Sequence, residues 1–170
     1  MKRLLITTTV ATTASMGLAS AAAACASFVA HSPGEQREAY HVDLTGDGPG
    51  DGDKLVGGRV LNDADGNLIG MRYWVQDVQG TDADGVSHAR VGSGVTVVDD
   101  GVIFNSLMFN FPGEAAGHGE KMLAPASGTS TFDIIGGTKA YAGARGTITV
   151  EAVGGSNSND AFFRYEVECD

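Results

Sequence analysis

Apolar residues in this chain come in short runs, and each run is cut off by a cluster of Gly, Asp or Asn. No segment sustains the 3.6-residue period of an amphipathic helix, so the pattern predicts an all-β domain. Twenty-five glycines against only four prolines fit that reading, since Gly supplies turns without forbidding a strand hydrogen bond. Eight strands are expected, over approximately 37–44, 54–62, 68–79, 86–98, 101–111, 129–135, 144–153 and 161–168. Between them, Asp63-Ala64-Asp65-Gly66-Asn67 and Asp99-Asp100-Gly101 carry the residues that tolerate positive φ in hairpin connections, which makes sequential strands antiparallel neighbours. Near the end, Phe163, Tyr165 and Val167 alternate with Arg164, Glu166 and Glu168, giving one dry and one wet face. Eight antiparallel strands with such faces can close into a β-barrel. Closure removes the exposed edges and leaves an interior wide enough for side chains or one small ligand.

The N-terminus follows a different rule. Lys2 and Arg3 precede an uncharged run from Leu4 to Leu18, shorter than the roughly 20 apolar residues a membrane-spanning helix requires. Small residues follow, from Ala19-Ser20-Ala21 to Ala24-Cys25-Ala26, each offering an A-x-A cleavage pattern. Residues 1–24 are therefore expected to be a signal peptide, cut somewhere between 21 and 26, with a single barrel domain over 25–170 and no membrane span. The expected location is periplasmic or extracellular.

The cleavage site decides the fate of Cys25. Cutting after Ala21 or Ala23 leaves Cys25 free to pair with Cys169, as two cysteines in an exported chain usually do. Acylation of Cys25 as a lipoprotein anchor is a second reading, although Ala22-Ala23-Ala24 lacks the Leu expected in a lipid-attachment box. Cutting after Ala26 would leave Cys169 unpaired. Removing Lys2 and Arg3 from the 11 basic residues leaves 9 against 21 acidic ones, a net charge of −12 for the mature chain. Nucleic acid and anionic membrane surfaces are poor partners for such a chain.

The stretch Phe132-Asp133-Ile134-Ile135-Gly136-Gly137-Thr138-Lys139-Ala140-Tyr141-Ala142-Gly143-Ala144-Arg145-Gly146 resembles the signature of the allene oxide cyclase and dirigent families. There an apolar strand runs into Gly-Gly-Thr or Gly-Gly-Ser, an aromatic, and then Gly-Ala-Arg-Gly. In this reading Gly136 and Gly137 let the chain reverse, Tyr141 plugs the connecting turn, and Gly143 and Gly146 permit close backbone approach. Two weaker matches are Gly52-Asp53-Lys54-Leu55-Val56 with Ile69-Gly70, and Ala39-Tyr40-His41-Val42-Asp43-Leu44.

The resemblance implies an eight-stranded barrel that binds a small, largely apolar organic molecule, often as a trimer, and that works without a metal or other cofactor. Families of this kind act by conformational restriction, closing rings or guiding couplings and isomerisations. Plant cyclases place a Glu and an Asn two apart on the first strand, an Asn on the second and a Cys on the third. The matching positions here are His41 and Asp43, then Arg59, then Gln76, and none keeps the plant residue. These four are the candidate catalytic residues, able to polarise an epoxide or carbonyl with one acting as acid or base.

Two orientations of the first strand stay open. Alternation alone turns Tyr40, Val42 and Leu44 inward; the family comparison turns Arg37, His41 and Asp43 inward. Candidate ligand-lining residues are Tyr40, Arg72, Trp74, Asn105, Phe109 and Tyr165, each with a purely structural alternative. Other chemistries find little purchase. The Asp residues at 47, 51, 53, 63 and 65 do not follow a calcium-loop register, and His31, His41, His88 and His118 have no metal spacing. Gly92-Ser93-Gly94 lacks the strand-turn-helix setting of a hydrolase nucleophile. Pro112–Ser127 reads as one long loop, either a cover for the barrel mouth or a surface insertion. Two function classes follow: a cyclase or isomerase-type enzyme acting outside the cytoplasm, or a non-catalytic barrel serving as a ligand-binding, structural or interaction module.

Overall fold

A computed structural model describes residues 25–48, 50–81, 87–110, 128–153 and 160–169. The expected signal peptide and the 112–127 loop lie outside them. The described residues form nine strands: β1 (Phe28–Ser32), β2 (Arg37–Val42), β3 (Lys54–Asn62), β4 (Leu68–Thr81), β5 (Ser87–Val98), β6 (Gly101–Asn110), β7 (Gly128–Lys139), β8 (Arg145–Val153) and β9 (Asp160–Glu168). From β2 to β9 each strand pairs antiparallel with the next.

Closure comes from β1, a strand absent from those expected above. It pairs with β9 along its length, Phe28 opposite Tyr165 through Ser32 opposite Ala161, and touches β3 where His31 faces Asn62. Because β1 and β2 are both antiparallel to β3, they run in the same direction. The 3-10 turn at Gly34–Gln36 joins them, so the two short strands form one interrupted stave and the nine strands make an eight-stave barrel.

One end of the interior is an apolar plug. Leu61, Ile103, Ile134, Ala144, Ile148, Phe163 and Tyr165 pack there, with Phe28 stacked on Tyr165 at 4.2 Å between ring centroids. Tyr141 plugs the β7–β8 turn from within this cluster, as expected. Gly136 and Gly137 do not reverse the chain, however. They lie inside β7, where a register shift between Phe104 and Asn105 accommodates an extra residue, and the strand runs on to Lys139 before turning. Gly137 is needed for close approach: a Cβ there would stand 2.6 Å from the Val102 carbonyl oxygen and 2.7 Å from Tyr141 Cβ.

A Cys25–Cys169 disulfide ties the two ends of the barrel chain, 144 residues apart in sequence, beside the plug. Among the described residues, no helix is long and apolar enough to cross a membrane.

Candidate functional site in the barrel lumen

Strand alternation settles which side of β2 faces in. Arg37, Ala39 and His41 are turned to the interior, and Tyr40 stands outside at 59% exposure with Val42 beside it. The polar face is therefore the lumen face, the orientation that the family comparison implies. On β3 the same parity carries Leu55, Gly57, Arg59 and Leu61; on β4 it carries Arg72, Trp74, Gln76 and Val78.

Register then lines these residues up across strands. Arg37 lies opposite Arg59, Arg59 opposite Arg72, and Arg72 opposite Thr96, so three inward-facing arginines form one rung across β2, β3 and β4. The adjoining rung is Ala39, Gly57, Trp74, Gly94 and Asn105. Its glycines make room for large neighbours: a Cβ on Gly57 would fall 2.6 Å from Trp74 Cε2, and one on Gly94 would fall 2.6 Å from Asn105 Oδ1. The next rung towards the mouth holds His41, Leu55, Gln76, Gly92 and Leu107.

The rung is knitted into buried polar and aromatic contacts. Arg72 Nη1 donates to Thr96 Oγ1 at 3.1 Å and to Asn105 Oδ1 at 3.0 Å, and Thr96 shares a 2.9 Å hydrogen bond with the Tyr165 hydroxyl. Arg59 and Arg72 both lie over the Phe163 ring, at 5.4 and 5.5 Å from its centroid, and Arg37 lies over Trp74 at 5.6 Å. These distances suit cation–π attraction. Burial pulls the Arg59 pKa down to about 9, with Arg37 and Arg72 pushing the same way and Asp160 and Tyr165 opposing them. Arg90, facing in from β5, is lowered to about 10 by burial and then by Arg37. Arginine keeps its proton at neutral pH, so these shifts register the cost of holding like charges together away from water.

At the mouth, Asp53 is fully buried and accepts hydrogen bonds from the Leu44 and Gly50 backbone N–H groups, both at 2.9 Å. His41 Nε2 is 3.0 Å from Asp53 Oδ2. Asp53 thus closes the 43–53 loop and sets a carboxylate beside the imidazole. Asp43, by contrast, lies past the end of β2 in that loop. It is exposed and accepts from the Thr45, Gly46 and Gly48 N–H groups, which hold its carboxyl below the usual range.

Of the residues singled out from sequence, the fold brings His41, Arg59, Gln76, Arg72, Trp74, Asn105 and Tyr165 to the interior. Tyr40 and Asp43 are corrections: strand alternation puts the first on the outer wall, and the early end of β2 puts the second in a solvated turn. Phe109 holds the β6 position opposite Arg90, and its side chain lies outside those described. Sequence reasoning passed over Arg90, Thr96, Asp53 and Phe163 as site residues. The signal available for the arginines was parity, since Arg59 shares its face with Leu55 and Leu61 and so sits where an apolar residue is expected.

No family model matches the chain, and no curated protein matches it. Solved structures do share its fold. A pyocyanin demethylase superposes with a TM-score of 0.54 at 19% identity, covering 82% of this chain and 97% of that one. The exo-specific intermolecular Diels-Alderase AbnU superposes at 0.49 with 12% identity, covering 84% of this chain and 100% of that one. The feature shared with the demethylase is the small antiparallel barrel.

Proposed function

We propose that the lumen is a chamber for a small, largely apolar organic molecule, and that the barrel guides the cyclisation or isomerisation of that molecule outside the cytoplasm, in the manner of the allene oxide cyclase and dirigent proteins. The observation that carries this reading is the inward set of polar side chains at mid-barrel. Buried polar groups are costly unless they have work or partners, and His41, Arg59, Arg72, Gln76 and Asn105 all face one interior where an apolar core would be the cheaper filling. A pyocyanin demethylase on a barrel of similar shape supports the idea that such a container hosts chemistry on small molecules. The Cys25–Cys169 bond supports an oxidising compartment.

In this mechanism His41, with the Asp53 carboxylate 3.0 Å from its Nε2, moves the proton. Arg59 and Gln76 polarise the oxygen at the reacting centre, and the apolar walls impose the folded conformation from which the ring closes. The outer wall suggests assembly. Tyr73 and Phe104, with half-buried Val95 between them, line up across β4, β5 and β6 next to Met71 and Val97, an apolar band that a homotrimer would cover.

A second reading, a non-catalytic container, is favoured by one observation: Arg72 Nη1 already gives its hydrogens to Thr96 and Asn105. Native mass spectrometry of protein from its own culture tests the chamber, with a retained small molecule and a trimer mass expected and a clean apo monomer counting against both. Incubating the released compound with fresh protein then separates the two readings. A product of identical mass but altered chromatographic retention, lost in His41→Asn, supports the isomerase; an unchanged compound leaves the container.

A further inference from the structure

The arginine rung breaks a rule that the rest of the barrel obeys. Like charges directly opposite each other on antiparallel strands destabilise a sheet, and Arg37, Arg59 and Arg72 occupy three successive opposed positions on the buried face. Arg90 adds a fourth guanidinium within electrostatic reach of Arg37. All this sits in a chain whose formal net charge is −10.

Asp53 serves His41 and two loop amides, and Asp160, beside Arg59, also accepts from the Gly34 N–H at 2.6 Å. Arg59 and Arg90 have contacts of their own within the fold. The inference therefore rests on the convergence of positive charge, not on any vacant donor. A local violation of this kind is expected where a site has been built for a partner.

Aromatic surface accompanies the charge. Phe163 lies beneath two members of the rung and Trp74 beneath the third. In the adjoining rung Trp74 stands between Gly57 and Gly94, with its ring seated over Gly57. Arginine is the cation suited to this arrangement, because its planar fork can lie on a ring and still give paired hydrogen bonds to a carboxylate.

We propose that the lumen selects a planar aromatic carboxylate, with its ring system against Trp74 and its anionic group among Arg37, Arg59 and Arg72. This rests on the reading of the lumen as a small-molecule chamber and names the class of molecule it takes. The anion relieves repulsion along the rung, so its affinity and the cost of assembling three opposed arginines are two sides of one interaction.

Trp74 is the chain's only tryptophan and faces the lumen, so its fluorescence reports occupancy directly. Titration with 2-naphthoate and its neutral isostere 2-naphthamide, followed by Trp74 emission and by calorimetry, tests the proposal on the unmodified protein. The carboxylate is expected to bind about tenfold or more tightly than the amide, as charge-assisted pairing to arginine requires. Arg37→Gln and Arg59→Gln are expected to weaken naphthoate binding about tenfold or more and to bring the carboxylate-to-amide ratio close to one, with circular dichroism and thermal unfolding showing that the variants are folded. Equal affinity for the two probes in the unmodified protein overturns the anion proposal and leaves the chamber standing. Binding of neither probe by either method overturns both.

Discussion

Leu61, Ile103, Ile148 and Phe163 fill one end of the barrel as a protein core should be filled, whereas Arg37, Arg59, Arg72 and Gln76 occupy the wall above them at positions of the same inward parity. Both regions are made by the same strands, and β3 contributes Leu61 to one and Arg59 to the other only two residues apart. The plug gains by removing apolar surface from water. The upper wall spends stability on desolvated charge. A single stave can therefore carry the packed core at one end and a polar, inward-facing wall at the other, and the division of labour is testable by perturbing each end.

The largest effect is expected where the plug meets the disulfide. Replacing Cys169 with Ser opens a loop spanning nearly the whole chain, with a loss of up to about 5 kcal/mol by chain-entropy reasoning; the shift in denaturation midpoint, matched by adding reductant to the unmodified protein, measures it. Within the plug itself, Ile148→Ala removes a fully buried side chain and should cost about 2–5 kcal/mol in the same experiment. The upper wall should respond differently. Arg72→Met strands the Asn105 carbonyl oxygen and is expected to cost about 1–3 kcal/mol, but adding Asn105→Leu should recover much of that loss, because two apolar partners replace two polar ones. A double-mutant cycle that shows simple additivity would mean that the wall behaves like the plug.

The smallest effect lies outside both regions. Asp63 accepts hydrogen bonds from the Asn67 side chain and from the Asp65 and Asn67 backbone N–H groups in the exposed β3–β4 turn, which hold its carboxyl below the ordinary value. Asp43 is lowered in the same way in the loop after β2. For a carboxyl with a depressed folded pKa, the unfolded chain takes up the proton first as pH falls. The contribution is thus complete above the ordinary carboxylate value of about 4 and is lost below it. Denaturation midpoints compared between neutral pH and pH near 3 should fall less for Asp63→Asn than for the unmodified protein.

Much of this fold could be read from the chain alone. The β3 boundaries at 54 and 62 are those expected, because Gly, Asp and Asn punctuate both ends. β1 was missed: Phe28–Ser32 is too short to show alternation and follows an export-like segment that draws the eye to processing signals. β7 ran longer than expected because a Gly-Gly pair reads as a turn, and only the partner strand reveals it as a bulge. The candidate site was legible as a set of residue types and not as an arrangement. His41, Arg59 and Gln76 could be nominated one strand at a time, but the rung through Arg37, Arg59 and Arg72 exists only in the register between strands. Asp53 was similarly hidden, since an acidic, glycine-rich loop reads as solvated and nothing local says that its carboxylate turns back under His41.

The bond between Cys25 and Cys169 has a topological consequence as well. With the flanks of the barrel chain joined covalently, the polypeptide between them is a ring. A protease that cuts the exposed Asp63–Asn67 turn would linearise the ring without releasing a fragment, and β1 would stay fastened to β9 at the seam where the barrel closes. The same geometry makes that turn a place to open new chain ends. A barrel that survives a nick as one piece keeps both its plug and its lumen.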